Sequence, residues 1–483
     1  MDTSFKNLHV AILSSPGMGH LIPALVLANR LAAQHSVNVT VLLVTTAVSP
    51  PESKLLQIPL HRDLVRVVEL PPVDISHLVV PTTQVVAQLC VMVREALPLI
   101  RSAIAAMDRR PDAVIADLFC TETAAIAAEL GMAKYLYVPS TAWFTALTVY
   151  CQVLDREIEG QYVDQPEPLK IPGCKPVRPE DVVEPMLDRN ELQHDEYVNL
   201  GKRYSLFDGI LLNTWEDLEH ETLQAFRENE TLRSIIEIPV YPIGPLRRPV
   251  EPVDVKSDLL GWLDRQPNES VIFVSFGSGG VLSAEQITEL AWGLELSQQR
   301  FVWVVRPPTK GSVDDAFFNL GTDFDGTPNY LPEGFIKRTQ NKGLLIPMWG
   351  PQAQILSHQA IGGFMSHCGW NSTLESITSD VPIIAWPLYA EQRLNATFLA
   401  EEVGVALRPR VLPTKEVVRR EEIESLVRRL MEHKEGQEMR DKVKKMKISA
   451  MEGLKNGGPS YKSMCELLSK IAVRKGNMNG LVG

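Results

Sequence analysis

Several features that would assign a chemistry at once are absent from this 483-residue chain. There is no Gly-Lys-Ser/Thr triplet, so it lacks a P-loop for nucleoside triphosphates. Neither glycine turn completes a dinucleotide fingerprint. Gly17-x-Gly19 has Ile22 where the third glycine should stand, and the GSGG stretch 277–280 is not followed by one at the right spacing. A nicotinamide enzyme is therefore disfavoured. No Gly-x-Ser-x-Gly elbow presents a nucleophilic serine, which disfavours hydrolase chemistry. The six cysteines (90, 120, 151, 174, 368 and 465) form no Cys-x-x-Cys pair and no metal-ligand spacing. Free thiols in a reducing compartment are expected, and with them a cytoplasmic location. Positive charge is also in short supply. With 48 basic against 59 acidic residues the net charge is −11, which argues against a nucleic-acid partner. The start, MDTSFKNLHVAIL, lacks the basic and long apolar regions of a signal peptide. The longest uncharged run, 135–154, is interrupted by Pro139-Ser140-Thr141, and a buried strand, turn and core helix explain it better than a membrane span.

What the chain does contain is an alternation of short β-branched runs and longer amphipathic ones. Strands are expected at 9–14, 39–44, 65–70, 113–117, 135–138 and 209–214, then at 271–277, 301–306, 343–348, 362–367 and 382–386. Near-continuous apolar strands separated by helical patterns predict parallel sheets covered on both faces. The first strand of each half ends in a glycine turn, SSPGMGH in one and SFGSGG in the other. Between the halves lies PIGPLRRPVEPVDVKSD (242–258), rich in proline and charge. The expected architecture is α/β: two facing, doubly wound parallel-sheet domains with a central cleft. After residue 410 the pattern is helical to about residue 474, and the terminal KGNMNGLVG is expected to fray.

Ligands of open α/β sheets bind beyond the carboxyl ends of the strands, which selects the residues to weigh. His20 follows the first strand; it could simply open a helix, or act as a base. Asp117 ends the strand AVIAD of the same half, where its carboxylate could hold the imidazole by Nδ1–H and stabilise an imidazolium. Asp323 and Asp325 form an Asp-x-Asp that could bind a divalent ion, but their glycine-rich setting favours a solvated loop. The richest stretch is 349–392. There His367, Gly369, Asn371 and Ser372 open a helix after a strand, where an anion would dock, and Ser278 adds a hydroxyl from the other glycine turn. Glu375, one turn beyond Asn371, can accept from a ribose diol; Trp349 offers a flat face to a base; Glu391 and Gln392 can grip sugar hydroxyls.

This stretch, with its opening Trp-x-Pro-Gln, central HCGWNSTLES and closing Glu-Gln, resembles the C-terminal signature of plant secondary-metabolite UDP-glycosyltransferases. The resemblance extends over the whole chain, including PGMGH and the SFGS strand, and points to the hydroquinone, monolignol and chlorophenol glucosyltransferase group, with indoxyl a further candidate acceptor. It implies the GT-B fold and inverting transfer of glucose from UDP-glucose to a hydroxyl of a small aromatic acceptor, without metal or other cofactor. It implies His20 as base and Asp117 as its orienting carboxylate. It assigns Trp349, Gly350, Gln352 and Glu375 to the uridine, and Ser278, His367, Asn371 and Ser372 to the diphosphate. Trp370, Glu391, Gln392 and Thr141 fall to the sugar, Trp370 also counting with the UDP contacts. Acceptor-lining candidates are Gln84, Gln88, Leu118, Phe119 and Trp143, with Tyr389 from the second half.

The implied domains are 1–245 for the acceptor, a 246–258 linker, 259–455 for the UDP-sugar, and a 456–483 helix packing back on the first. A monomer without integral membrane contact is expected. Three positions depart from the family pattern: Gly350 replaces alanine, Asp380 replaces glycine, and Glu391 replaces the aspartate of many members. An epimerase or hydrolase on the same fold, or a non-catalytic UDP-sugar-binding protein, remain the competing readings.

Overall fold

The computed structural model describes residues 5–45, 60–61, 63–80, 82–250, 258–308 and 330–480. Asp323 and Asp325 lie outside the described residues. The chain divides into two compact units, one of Met1–Arg248 with Glu452–Gly483, the other of Pro249–Met451.

The first unit is built on seven parallel strands: β1 (His9–Ser14), β2 (Asn38–Leu43), β3 (Val65–Glu69), β4 (Ala113–Asp117), β5 (Ala133–Val138), β6 (Ile210–Leu212) and β7 (Val240–Pro242). Their order is β3-β2-β1-β4-β5-β6-β7, so the direction of winding reverses between β1 and β4. Val10, Ile12, Val39, Val41 and Ile115 are essentially inaccessible to solvent. Each such side chain contributes about 1.5–3 kcal/mol by burial, which is why these strands appear in the sequence as unbroken apolar runs. The helices that matter for the site are α1 (Met18–His35), α2 (Val85–Ala105), α3 (Thr123–Glu129), α4 (Ala142–Glu157) and α5 (Leu192–Arg203). The uncharged run 135–154 is thus strand β5, a turn, and the buried face of α4. Among the described residues no helix is long and apolar enough to cross a membrane.

The second unit repeats the plan with six parallel strands: β8 (Val271–Ser275), β9 (Arg300–Val305), β10 (Gly343–Pro347), β11 (Ile361–Ser366), β12 (Ile383–Ala385) and β13 (Ala406–Leu407). Their order, β10-β9-β8-β11-β12-β13, reverses between β8 and β11. Its helices include α6 (Ala284–Ser297), α7 (Gln352–Leu356), α8 (Trp370–Ile377), α9 (Gln392–Thr397), α10 (Arg420–Met431) and α11 (Lys434–Leu454). Asp380 closes the turn from α8 to β12 at φ 64°, in the left-handed region where glycine is the usual choice. Its short carboxylate tolerates that backbone and pairs with Lys447 Nζ at 2.5 Å.

The final helix, α12 (Pro459–Gly480), corrects one expectation: KGNMNG does not fray but stays helical. Met464, Leu467, Leu468 and Ile471 bury its inner face in the first unit's core. Arg474 to Asp208 at 2.9 Å and Lys475 to Asp112 at 3.2 Å then pin the last turns.

Candidate active site

In each unit the crevice that the strand order dictates is occupied by candidate site residues. In the first, β1 pairs with β4 with Leu13 opposite Ala116, so the residues that follow, Ser14 and Asp117, share the carboxyl edge. Gly17, at φ 105°, turns the chain into α1, and His20 falls in the first turn of that helix. Its imidazole reaches back to Asp117, with Nδ1 to Oδ2 at 2.9 Å. It is therefore not a capping residue: the helix begins at Gly17 with no side-chain cap. Asp117 is 2% exposed, and its other oxygen, Oδ1, accepts from Ser15 Oγ at 2.6 Å and from the Phe119 N–H at 3.2 Å. A buried carboxylate held by three donors is fixed in direction. A proton on Nδ1, donated to that carboxylate, would leave Nε2 as the accepting nitrogen of the imidazole. Phe119 stands edge-on to the ring at 5.1 Å between centroids. Ser15 went unnoticed in the sequence because its role follows from strand register; a hydroxyl closing β1 beside an aspartate closing β4 is the signal that could have found it.

Other first-unit candidates take more enclosed places. Thr141 caps α4, its Oγ1 accepting from the Phe144 N–H at 2.9 Å, and is wholly buried, as are Leu118 and Trp143. Gln84 stands at the N-terminal boundary of α2 without a side-chain cap bond, and Gln88 Nε2 donates to the Thr83 carbonyl at 2.6 Å. Glu219, not anticipated, accepts the Ala142 and Trp143 N–H groups at 2.9 and 3.1 Å. Burial pushes its carboxyl up to about 7, against those hydrogen bonds, which favour the ionised form.

In the second unit Ser275 lies opposite Ser366 across β8 and β11, and the loops that follow carry Ser278 and His367. His367 is pressed between two glycines: a methyl group on Gly277 or on Gly369 would lie 2.5 Å from its Nε2. Gly277 is moreover at φ 77°. Burial, and secondarily the Arg306 charge, lower the His367 pKa to about 4, so the ring is neutral, and its Nδ1 has no hydrogen-bond partner among the described residues. Next to it α8 starts at Gly369 without a side-chain cap, with Trp370, Asn371 and Ser372 in its first turn. Trp370 itself is 2% exposed and packs its ring against Phe398 at 6.3 Å. Gln352 Nε2 donates to Ser372 Oγ at 2.9 Å and to Glu375 Oε2 at 2.7 Å, which links three of the expected UDP residues into one network. Trp349 is 57% exposed. An alanine Cβ at Gly350 would meet Val304 Cγ2 at 3.0 Å, so glycine suits the local packing. Gln392 Oε1 accepts from the Leu388 and Tyr389 N–H groups at 2.9 and 3.1 Å, and Asn395 Nδ2 joins Glu391 Oε1 at 3.1 Å to the Cys368 carbonyl at 2.9 Å. Tyr389 faces the His367 ring at 6.4 Å between centroids.

The backbone around these groups is unusual. Gly277 follows β8, Met348 (φ 62°) follows β10, Cys368 (φ 64°) follows β11 and Ala390 (φ 54°) follows β12. Left-handed non-glycine residues cost roughly 1–3 kcal/mol each and collect where a site must be held in one shape.

Two crevices of this kind, one in each unit, with a histidine–aspartate pair in the first and a polar network beside a helix start in the second, are what a nucleotide-sugar transferase would use. Residues 255–434 match the family of UDP-glucoronosyl and UDP-glucosyl transferases. Anthocyanidin 3-O-glucosyltransferase 5 of Manihot esculenta is 53% identical over 459 residues, covering 95% of this chain and 94% of its own. Among solved structures, TcCGT1 in complex with UDP is 46% identical with a TM-score of 0.89, covering 97% of this chain and 99% of that one. Phytolacca americana UGT2, solved with UDP-2fluoro-glucose and pterostilbene, is 40% identical with a TM-score of 0.86, covering 96% and 100%. The chain belongs to the plant UDP-glycosyltransferase family. It has the family's GT-B architecture of two Rossmann-like units, and it is a UDP-sugar-dependent glycosyltransferase of the type that modifies small plant molecules.

Proposed function

We propose that the protein transfers glucose from UDP-glucose to a phenolic hydroxyl with inversion, releasing UDP and a β-glucoside. The observation that carries this reading is the His20 Nδ1 to Asp117 Oδ2 bond of 2.9 Å on a buried carboxylate. Binding alone would not need such a pair. His20 Nε2 accepts the phenol proton as the oxygen attacks the anomeric carbon; a phenol pKa near ~10 makes this transfer easier than from an aliphatic alcohol. The bond from that carbon to the β-phosphate oxygen breaks, and UDP leaves with the electron pair on the opposite face. Asp117 stabilises the imidazolium that results.

Donor recognition falls to the second unit. Trp349 stacks on uracil, while Gln352 and Glu375 take the ribose. Ser278, His367, Asn371, Ser372 and the start of α8 meet the charge growing on the diphosphate, so no metal ion is required. Glu391 and Gln392 orient the glucose. An aromatic acceptor is favoured by Phe119 against His20, and by the phenolic compound bound in the Phytolacca americana structure. Six free thiols support a cytosolic setting.

The test is a reaction of the purified protein with UDP-glucose and a panel of simple phenols in excess EDTA. A product heavier by one hexosyl unit, β by its anomeric proton coupling, with UDP released in equal amount, is expected. An α-anomer, hydrolysis of UDP-glucose without a phenol adduct, or loss of turnover in EDTA would overturn the corresponding part.

A further inference from the structure

Arg306 directly follows β9, the neighbour of β8, at the carboxyl edge of the second sheet. Its Nε donates to the Met348 carbonyl at 3.1 Å, and its Nη1 donates to the Ser278 carbonyl. One planar guanidinium thus ties the loop after β8 to the loop after β10, the loops that carry Ser278 and Trp349. With Gly277 and Gly280 it also lines a small, open recess.

Both of these partners are neutral. Among the described residues no carboxylate lies within ion-pair distance of Arg306, whereas Arg94, Arg189 and Arg420 each pair with one. Burial lowers the Arg306 pKa, and the charge is felt at the His367 ring. A half-buried cation that meets no anion among the described residues is costly in the fold, and such a charge suits a site where an anion arrives from outside. The leaving group of this reaction is a nucleoside diphosphate.

We propose that Arg306 is the fixed countercharge of the donor site, acting on the diphosphate while its two carbonyl bonds hold the Ser278 and Trp349 loops in register. The guanidinium suits both tasks, since it stays charged when buried and its planar fork sets two loops at once. The proposal rests on the reading that the second unit binds UDP. It differs from the Ser278, His367, Asn371 and Ser372 contacts in supplying net charge, where those supply dipoles.

Calorimetric titration of the full chain with UDP and with uridine separates the two roles. Arg306→Gln should weaken UDP binding ~tenfold more than it weakens uridine binding, because only UDP carries the phosphates and the smaller loss shared with uridine is that of the loop tie. Arg306→Lys, which keeps the charge but not the fork, should bind UDP within about threefold of the parent. Equal losses for UDP and uridine in Arg306→Gln would reduce Arg306 to a loop tie, and an unchanged UDP affinity would remove it from the site. Should the glutamine variant not fold, a tenfold UDP loss in Arg306→Lys with uridine unaffected would itself overturn the charge argument. A parent protein that binds neither ligand would instead sink the assignment of the UDP site.

Discussion

The two crevices occupy equivalent positions, β1/β4 in one unit and β8/β11 in the other, yet they are built by different means. The first is a relay of side chains: Ser15 and the Phe119 N–H fix Asp117, and Asp117 fixes His20. Its loops need one left-handed residue, Gly17. The second is shaped by backbone, with left-handed residues after four strands and a histidine wedged between glycines. The difference matches the tasks proposed for them. A base must be basic and aimed, which a hydrogen-bonded carboxylate achieves. A diphosphate must be surrounded, which calls for N–H groups and hydroxyls turned inward on rigid loops.

The largest effect should come from removing the base. His20→Asn is expected to lower kcat by about 10²–10⁴ while leaving the UDP dissociation constant unchanged. Near-normal turnover would show that the first crevice is no acid–base centre, and lost UDP binding would show that the division of labour is wrong.

The two units should next differ in their response to pH. Glu219 in the first holds its proton up to about 7 against an ordinary 4.5, so the folded state retains a proton the unfolded chain releases. Stability from this group is present below about pH 4.5 and declines as pH rises to about 7. His367 in the second has the opposite sign. Its folded pKa of about 4 lies under the unfolded 6.5, so stability is lost as pH falls from 6.5 towards 4. Each amounts to ~3 kcal/mol at most. In urea unfolding followed across this range, Glu219→Gln should flatten the upper limb and His367→Gln the lower. Variant profiles parallel to the parent's would refute the assignment.

The smallest effect is expected at Ser15. Ser15→Ala removes one of three donors to Asp117 and should lower kcat by about threefold to tenfold, in line with the loss of one ordinary hydrogen bond of about 0.5–1.5 kcal/mol. A loss as large as that of His20→Asn would make Ser15 a partner in the proton transfer.

Most strands were legible because a strand buried on both faces must be apolar throughout; VIFVS and HVAIL admit few other readings. Two were not, β7 with three residues and β13 with two, whose pairing depends on neighbours already in place. His20, Asp117 and the 349–392 residues could be located by the strand-end rule. Ser15, Glu219 and Arg306 could not, although they hold the same groups in position. Serine, glutamate and arginine at strand and helix ends are ordinary surface residues until the register shows what they face. Arg306 had the clearest trace, a lone cation directly after the apolar strand FVWVV.

Trp349 has a practical consequence. Of the eight tryptophans, seven are buried or partly buried, and this one is 57% exposed at the place assigned to the nucleobase. On the proposed reading, a base stacked on that indole would quench its emission and screen it from collisional quenchers such as iodide or acrylamide. On that reading the molecule carries an optical gauge of donor occupancy that needs no label and no turnover.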